Sequence, residues 1–508
     1  MSDPIQLAIE QAQAAAEHGD AAGVQAAFDP VESALRQASE SDEPELCALA
    51  FNLRALKALL LLAAGDPTVA TDEAWAALKT LRFGVALNVE LLNDLAGVFV
   101  EGGNARTDQG ELTAAVADYD QAIALREALR ADLAPQGQWS PALRDDLAEV
   151  YQNRGLARAN EGDLTAAVDD YDRAIALREA LRADLEPEGQ WSPALRDGLA
   201  GAYQSRGNAH FNQGDLRAAV ADFDQAITLR EALRTDLERA GQWSPALRDG
   251  LAAVYQNRGI ARADQGDLRA AVADFDQAIT LREALRTDLE RAGQWSPALR
   301  DGLAGAYQSR GNAHFNQGDL RAAVADYDQA ITLHKALRAD LERAGQWSPE
   351  MRNGLAMAYQ NRGLARADQG DLRAAVADYD QAITLGKALR ADLERAGQWS
   401  PALRDGLARV YQNRGIARAD QGDLRAAVAD FDQAITLREA LRTDLERAGQ
   451  WSPALRDGLA MAYQSRGNAH FNQGDLRAAV ADYDQAITLH KALRTDLERA
   501  GQWSPALR

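Results

Sequence analysis

Two acids flank an aromatic in a triplet that recurs along the chain, Asp170-Tyr171-Asp172 in one copy and Asp222-Phe223-Asp224 in the next. Paired carboxylates would suit acid–base catalysis or a divalent cation if both entered one site. On a helix, side chains at i and i+2 diverge, so the acids of one triplet cannot converge. They read instead as partners for arginines of the Arg154 type. The Arg206 row itself reads either as an anion-binding line or as salt bridges to the acids of the facing helix. His210, His314 and His470 share one position two or three copies apart. Zinc needs its nitrogens ~2 Å away, while packed helices stand ~8–10 Å apart, so these histidines cannot hold one ion. His334 and His490 replace an arginine found in other copies and are expected to face solvent. Cys47 is the only cysteine, which excludes an intrachain disulfide or a cysteine zinc site. No P-loop occurs, and Gly102-Gly103 lacks the strand a dinucleotide loop requires. Eight Ser-Pro pairs are explained by helix capping without invoking phosphorylation. No base and nucleophile are paired, so the reading is non-enzymatic, with no catalytic residue, metal or cofactor.

Every candidate recurs because the chain does. Trp139 returns as Trp191, Trp243, Trp295, Trp347, Trp399, Trp451 and Trp503, at a spacing of 52 residues. Such a period means one supersecondary unit stacked many times. In the copy from Trp191 to Gln242, Ser192-Pro193 starts a helix: the hydroxyl caps free N–H groups and proline suits the first turn. Leu195, Leu199 and Tyr203 make one apolar stripe. Gly214-Asp215 stops this helix and caps the next, which carries Leu216, Val220, Phe223, Ile227, Leu233 and Leu237 and ends at Ala240-Gly241. No alternating strand pattern appears, so the class is all-α.

These residues resemble the tetratricopeptide repeat, on Tyr203, Gly207, Ala209, Gly214-Asp215, Ala219, Phe223 and Ala226 at the family spacing. Gly-Asp/Glu-Leu junctions at Leu112, Leu164, Leu216, Leu268, Leu320, Leu372, Leu424 and Leu476 give eight copies. The resemblance implies a right-handed superhelical solenoid of antiparallel helix pairs. The family unit has about 34 residues, and the excess lengthens the start of the first helix (Trp191 to Leu199) and the end of the second (Arg234 to Gln242). Glu231 stands where the family often has proline. Arg206 and His210 occupy usually apolar slots. The tryptophans are expected to pack between successive units.

The expected organisation is a helical cap over residues 1–86, eight repeats over 87–502, and the start of a ninth over 503–508. In the cap, helices are expected at Pro4–Glu17, Ala21–Ser39, Glu43–Ala64 and Thr71–Leu81. The unfinished turn at Trp503 to Arg508 suggests a longer native chain or an end that docks. The net charge of −21 argues against nucleic acid and anionic membranes as partners. No signal peptide is visible, and the most apolar stretch, Ala58 to Ala64, is too short to span a bilayer. A soluble, cytoplasmic protein is the expectation.

Differences between copies point to a surface. Three copies read Gln-Ser-Arg-Gly-Asn-Ala-His-Phe-Asn-Gln-Gly, at Gln204–Gly214, Gln308–Gly318 and Gln464–Gly474, and the others differ there. In the family the inner groove is lined by slots matching Gly201, Gln204, Asn208, Phe211 and Asn212 here, and Ala253, Gln256, Ile260, Ala263 and Asp264 in the next copy. The implied groove contacts are Gln152, Gln204, Asn208, Phe211, Asn212 and Gln256, continued by Gln308, Asn312, Phe315, Asn316 and Gln360. Gln412, Gln464, Asn468, Phe471 and Asn472 complete them. The family's carboxylate-gripping mode uses basic groove residues; the constant slot here is glutamine, so that mode is not supported. The expectation is an interaction scaffold holding a peptide or protein in this groove, with drift after duplication as the plainer account of the variation. The alternatives are a spacer or self-associating rod stacking through its C-terminal end, or the sensor arm of a larger signalling or defence protein.

Overall fold

The computed structural model describes residues 4–40, 43–80, 89–343 and 345–499. Among them are twenty α-helices, one short 3-10 turn and no strand. The chain divides into two compact units, Met1–Trp243 and Ser244–Arg508. The expected ninth copy at 503–508 and the expected helix end at Leu81 lie outside the described residues.

The first unit opens with α1 (Pro4–Glu17), α2 (Ala21–Ser39), α3 (Pro44–Ala63) and α4 (Pro67–Leu78). Three helix pairs follow: α5 (Val89–Gln109) with α6 (Leu112–Leu133), α7 (Pro141–Glu161) with α8 (Leu164–Leu185), and α9 (Pro193–Gln213) with α10 (Leu216–Arg239). Helix α4 starts four residues before the expected Thr71, because Asp66 accepts from the amide of Val69 and Pro67 sits in the first turn. Helix α3 corrects the reading of its apolar stretch. From Glu45 to Ala63 it is long and apolar enough to cross a membrane by length and composition. Within the unit it is a core helix: Ala50, Phe51, Ala55, Ala58 and Leu61 are buried. Its Arg54 and Lys57 lie between Glu32 of α2 and Glu73 of α4, with Arg54 2.6 Å from Glu73.

The second unit is five pairs: α11 (Pro245–Asp264) with α12 (Leu268–Arg291), α13 (Pro297–Gln317) with α14 (Leu320–Arg343), α15 (Pro349–Asp368) with α16 (Leu372–Arg395), α17 (Pro401–Asp420) with α18 (Leu424–Arg447), and α19 (Pro453–Gln473) with α20 (Leu476–Arg499).

Each pair is built by the same local chemistry. Ser192 accepts from the amide of Leu195 at 3.2 Å, and Pro193 follows it. Gly214 closes α9 at φ +83°, where a side chain would be strained, and Asp215 then accepts from the amide of Ala218. Gly207 is required for a different reason. A Cβ there would stand 2.8 Å from the Phe223 ring, so the aromatic of each triplet lies directly on the first helix. The extensions are cross-linked by ion pairs such as Arg196–Asp236 at 2.7 Å. Trp399 shares an apolar cluster with Leu389, Leu393 and Leu407, between one pair and the next, as the tryptophans were expected to do.

Candidate functional site

Within the first unit α5 meets α7 and α7 meets α9; within the second, α11, α13, α15, α17 and α19 meet in succession. The second helices make no comparable approach to one another among the described residues. First helices therefore line the inner side of each unit, and any groove is made of their side chains.

The charged groups near this face are largely turned inward. Arg154 donates to buried Asp170 of its own pair at 2.9 and 2.5 Å, and to Asp120 of the preceding pair at 2.5 Å. Burial opposes the charge of Arg154, but the two carboxylates outweigh it and hold its pKa above the ordinary range. The pattern repeats at Arg206 with Asp222 and Asp172, and in the second unit at Arg310 with Asp326 and Asp276. The acids of a triplet thus diverge, and each meets a different arginine. The first unit's opening helices join this ladder: Asp72 of α4 pairs with Arg106 at 2.7 Å, and the Trp75 indole donates to Asp118 at 2.8 Å. His210, His314 and His470 stand 3.8–4.0 Å from these same buried acids. No group of three metal-ligating side chains occurs among the described residues.

A second row of cations borders the inner side of the first helices. Arg178 reaches across its pair to Asp145 at 2.7 Å and Gln152 at 2.5 Å, and to the carbonyl of Gly198 in the next. Arg230 binds Gln204, Arg282 binds Gln256 and Arg438 binds Gln412 in the same way. The constant glutamine is therefore a structural partner in these copies. Gln308, Gln360 and Gln464 face His334, Gly386 and His490 at the arginine position instead. His334 corrects its expectation: it is buried, 3.5 Å from Asp301, because the pocket shaped for an arginine encloses it. Burial, opposed by the Asp301 charge, holds its imidazole below the ordinary range. His490 is exposed.

Amides link neighbouring first helices. Asn361 donates to Asn312 at 3.1 Å, Asn153 to Asn104 at 3.3 Å, and Gln256 to Ser309 at 3.3 Å. Asn312, Phe315 and Asn316 come together with Tyr327, Asn361 and Leu364 around a hollow of about 270 Å³. Asn312 and Asn468 also accept from the Tyr327 and Tyr483 hydroxyls. Phe211 and Phe315 are half-buried, whereas Phe471 is 57% exposed. Asn208, Asn212 and Asn472 are exposed. Sequence reasoning missed the apolar side chains standing free between these amides: Leu156 in the first unit, and Met357, Ile416 and Met461 in the second, each more than 40% exposed. Their signal was present, since they occupy the same slots as Gly201 and Asn208.

A helical-repeat scaffold with an amide-lined inner face, punctuated by apolar side chains, is the class this geometry defines. The chain carries tetratricopeptide repeats: family profiles of that name match residues 199–233, 303–338 and 459–493, and residues 148–181, 252–285, 356–386 and 408–441. No curated protein sequence matches it significantly. Similar solved structures include BtubC from P. vanneervenii, at 19% identity over 55% of this chain and 92% of that one, with a TM-score of 0.39. RapI in its apo form is 12% identical over 87% and 99%, TM-score 0.45. Aspartyl phosphate phosphatase F from Bacillus subtilis is 14% identical over 86% and 95%, TM-score 0.41.

Proposed function

We propose that this protein is a non-enzymatic interaction scaffold that holds a peptide or protein segment on the inner face of its first helices. The observation that carries the reading is the exposed apolar side chains on that face within each unit, Leu156 in the first and Met357, Ile416, Met461 and Phe471 in the second. Apolar side chains set among hydrogen-bonding amides are the usual composition of a recognition surface. The amides of Asn208, Asn212, Asn316 and Asn472 supply the polar contacts, with Gln360 and Gln464 where the arginine is missing. The net charge of −21 favours ligands with basic flanks over nucleic acid or anionic membrane. A single buried cysteine suits a reducing, cytoplasmic setting.

A photo-crosslinking amino acid placed at Ile416 or Met461 tests this directly in cells or lysate, with Arg442 on the second helix as control site. Partner peptides captured from the inner positions and not from position 442 support the groove. Equal capture from both faces, or none from either, overturns it.

A second reading has its own observation. Helix α20 exposes Leu476, Val480 and Ile487, whereas Ile435, the α18 counterpart of Ile487, is buried. Stacking of that face on another copy would make the protein a self-associating rod or spacer, or a recruitment arm within a larger assembly. Mass that rises with concentration, and falls when Leu476 and Val480 become serine, would favour it.

A further inference from the structure

One copy breaks the second cation row completely. At the position of Arg178, Arg230, Arg282 and Arg438 stands Gly386, and at the position of their acid partners Asp145, Asp197, Asp249 and Asp405 stands Asn353. Cation and anion are lost together, so no charge is stranded. Elsewhere the arginine lies across the glycine of the next first helix and donates to its carbonyl, as at Gly198, Gly302 and Gly458. The corresponding Gly406 has nothing within 4 Å of where its Cβ would be.

What remains is a cavity of about 320 Å³ in the second unit, between α15, α16 and α17. Its walls are Ala382, Leu389, Trp399, Leu407 and Val410, all buried, and Met357 and Arg409 in its lining are exposed. That size lies near the ~300 Å³ lower bound of small-ligand pockets. Leu407 leans toward the space, with its Cδ1 2.8 Å from where a Gly386 Cβ would stand, yet does not fill it. The lining carries the half-buried, uncharged amides of Gln360 and Asn361, and its one cation, Arg409, is held by Asp405 at 2.8 Å. Asn353 donates to the Met357 sulfur at 3.6 Å.

We propose that this cavity is the specificity pocket of the groove and receives one uncharged apolar side chain, of leucine, methionine or phenylalanine size, from the bound peptide. The inference rests on the scaffold reading above. A charged side chain would be desolvated there without a partner, since both members of the ion pair are gone. A bulky apolar group would cover the walls, while Gln360 and Asn361 offer hydrogen bonds to the peptide main chain at the rim.

The four methionines make the test direct. The full chain, labelled with ¹³C at its methionine methyl groups, is titrated with N-acetyl-leucine and N-acetyl-phenylalanine methylamides, and with the glutamate and lysine equivalents. The apolar probes should shift the Met357 resonance saturably and leave Met461 in place, and the charged probes should do neither. Gly386→Arg with Asn353→Asp restores the consensus pair and fills the cavity; apparent affinity should fall at least about tenfold, or ~1.4 kcal/mol. If that pair perturbs folding, Gly386→Ala, which narrows the same space, should weaken binding in the same direction. No saturable shift at Met357, or equal binding in the filled variants, overturns the pocket. Crosslinks at Ile416 that persist undiminished in the filled variants would sink the pocket and leave the groove standing. A Met357 response without any groove crosslink would sink the groove and, with it, the pocket's part in holding a peptide, leaving only an apolar cavity.

Discussion

The two arginine rows of this protein have had different histories, and the contrast separates architecture from surface. The Arg154 row is arginine in seven of the eight copies, from Arg154 through Arg206, Arg258, Arg310, Arg362 and Arg414 to Arg466; the first copy has Gly102 there, and its buried Asp118 is met by Arg106 and the Trp75 indole instead. The Arg178 row reads Arg126, Arg178, Arg230, Arg282, His334, Gly386, Arg438 and His490. The first row answers to a carboxylate that is almost wholly buried, such as Asp326, and to a second on the preceding pair. Its loss would strand a charge away from water. The second row answers to partly exposed acids, such as Asp197 and Asp249, whose side chains are about a third accessible. Water can take over there, so substitution is tolerated and each change leaves a different inner face.

The sharpest way to break this comparison is to remove one member of the constant row. Arg310→Ala leaves the buried Asp326 with His314, 3.9 Å away, as its remaining ion-pair partner among the described residues. A loss of about 3 kcal/mol is expected, the range for an orphaned buried charge. Because repeat arrays need not unfold in one step, the readout is hydrogen exchange across α13 and α14 beside the urea midpoint. A change below about 1 kcal/mol would show the two rows to be equivalent.

The variable row should behave as a coupled pair. Gly386→Arg alone introduces a cation without its acid, and Asn353→Asp alone an acid without its cation. Together they should stabilise the second unit by about 2 kcal/mol, from cavity filling and removal of a mid-helix glycine. A double-mutant cycle in urea should give a coupling energy of about 1 kcal/mol or more. Strict additivity would mean that charge loss at the two positions was unconnected.

His334 sharpens the comparison by pH. Buried beside the Asp301 carboxylate of α13 and under Gly354 of α15, it is held neutral, with its folded pKa below the reference 6.5. A depressed histidine contributes its full stability above the unfolded value and loses it as pH falls through 6.5 toward the folded value, because the unfolded chain takes the proton first. The slope cannot exceed about 1.4 kcal/mol per pH unit for one proton. His334→Arg, which restores the row, should remove that component between pH 7 and 5. Superimposable profiles for the two proteins would refute it.

How far these differences were visible in the sequence follows from what kind of fact each is. The period, the Ser-Pro caps, the Gly-Asp stops and the divergence of the triplet acids are local, and α9 and α10 begin and end where those signals place them. The start of α4 was equally local, since Gly65-Asp66-Pro67 carries the same stop-and-cap chemistry. The burial of His334 and the cavity at Gly386 are of another kind. Both depend on what the next pair lays over the position, Gly354 in one case and Leu407 in the other. A sequence compared copy by copy shows that a residue changed, but not that the change lies under a neighbour.

The smallest expected effect concerns the three phenylalanines, which the repeat pattern made equivalent. Phe315 packs with Tyr327, Ala323 and Val324 of its own pair and with Ala365 of the next. Phe471 occupies the same slot in α19 and is 57% exposed. Phe315→Ala should cost about 1–2 kcal/mol, a partial share of the penalty for a fully buried ring. Phe471→Ala should fall within about 0.5 kcal/mol of the parent, as surface changes usually do. Urea unfolding of the two variants makes the comparison. The asymmetry decides which variant can report on binding: a partner lost with Phe315→Ala has two explanations, whereas one lost with Phe471→Ala at unchanged stability has only the surface. Equal destabilisation by both would return the phenylalanines to the core and leave Met357, Ile416 and Met461 as the apolar contacts of the second unit.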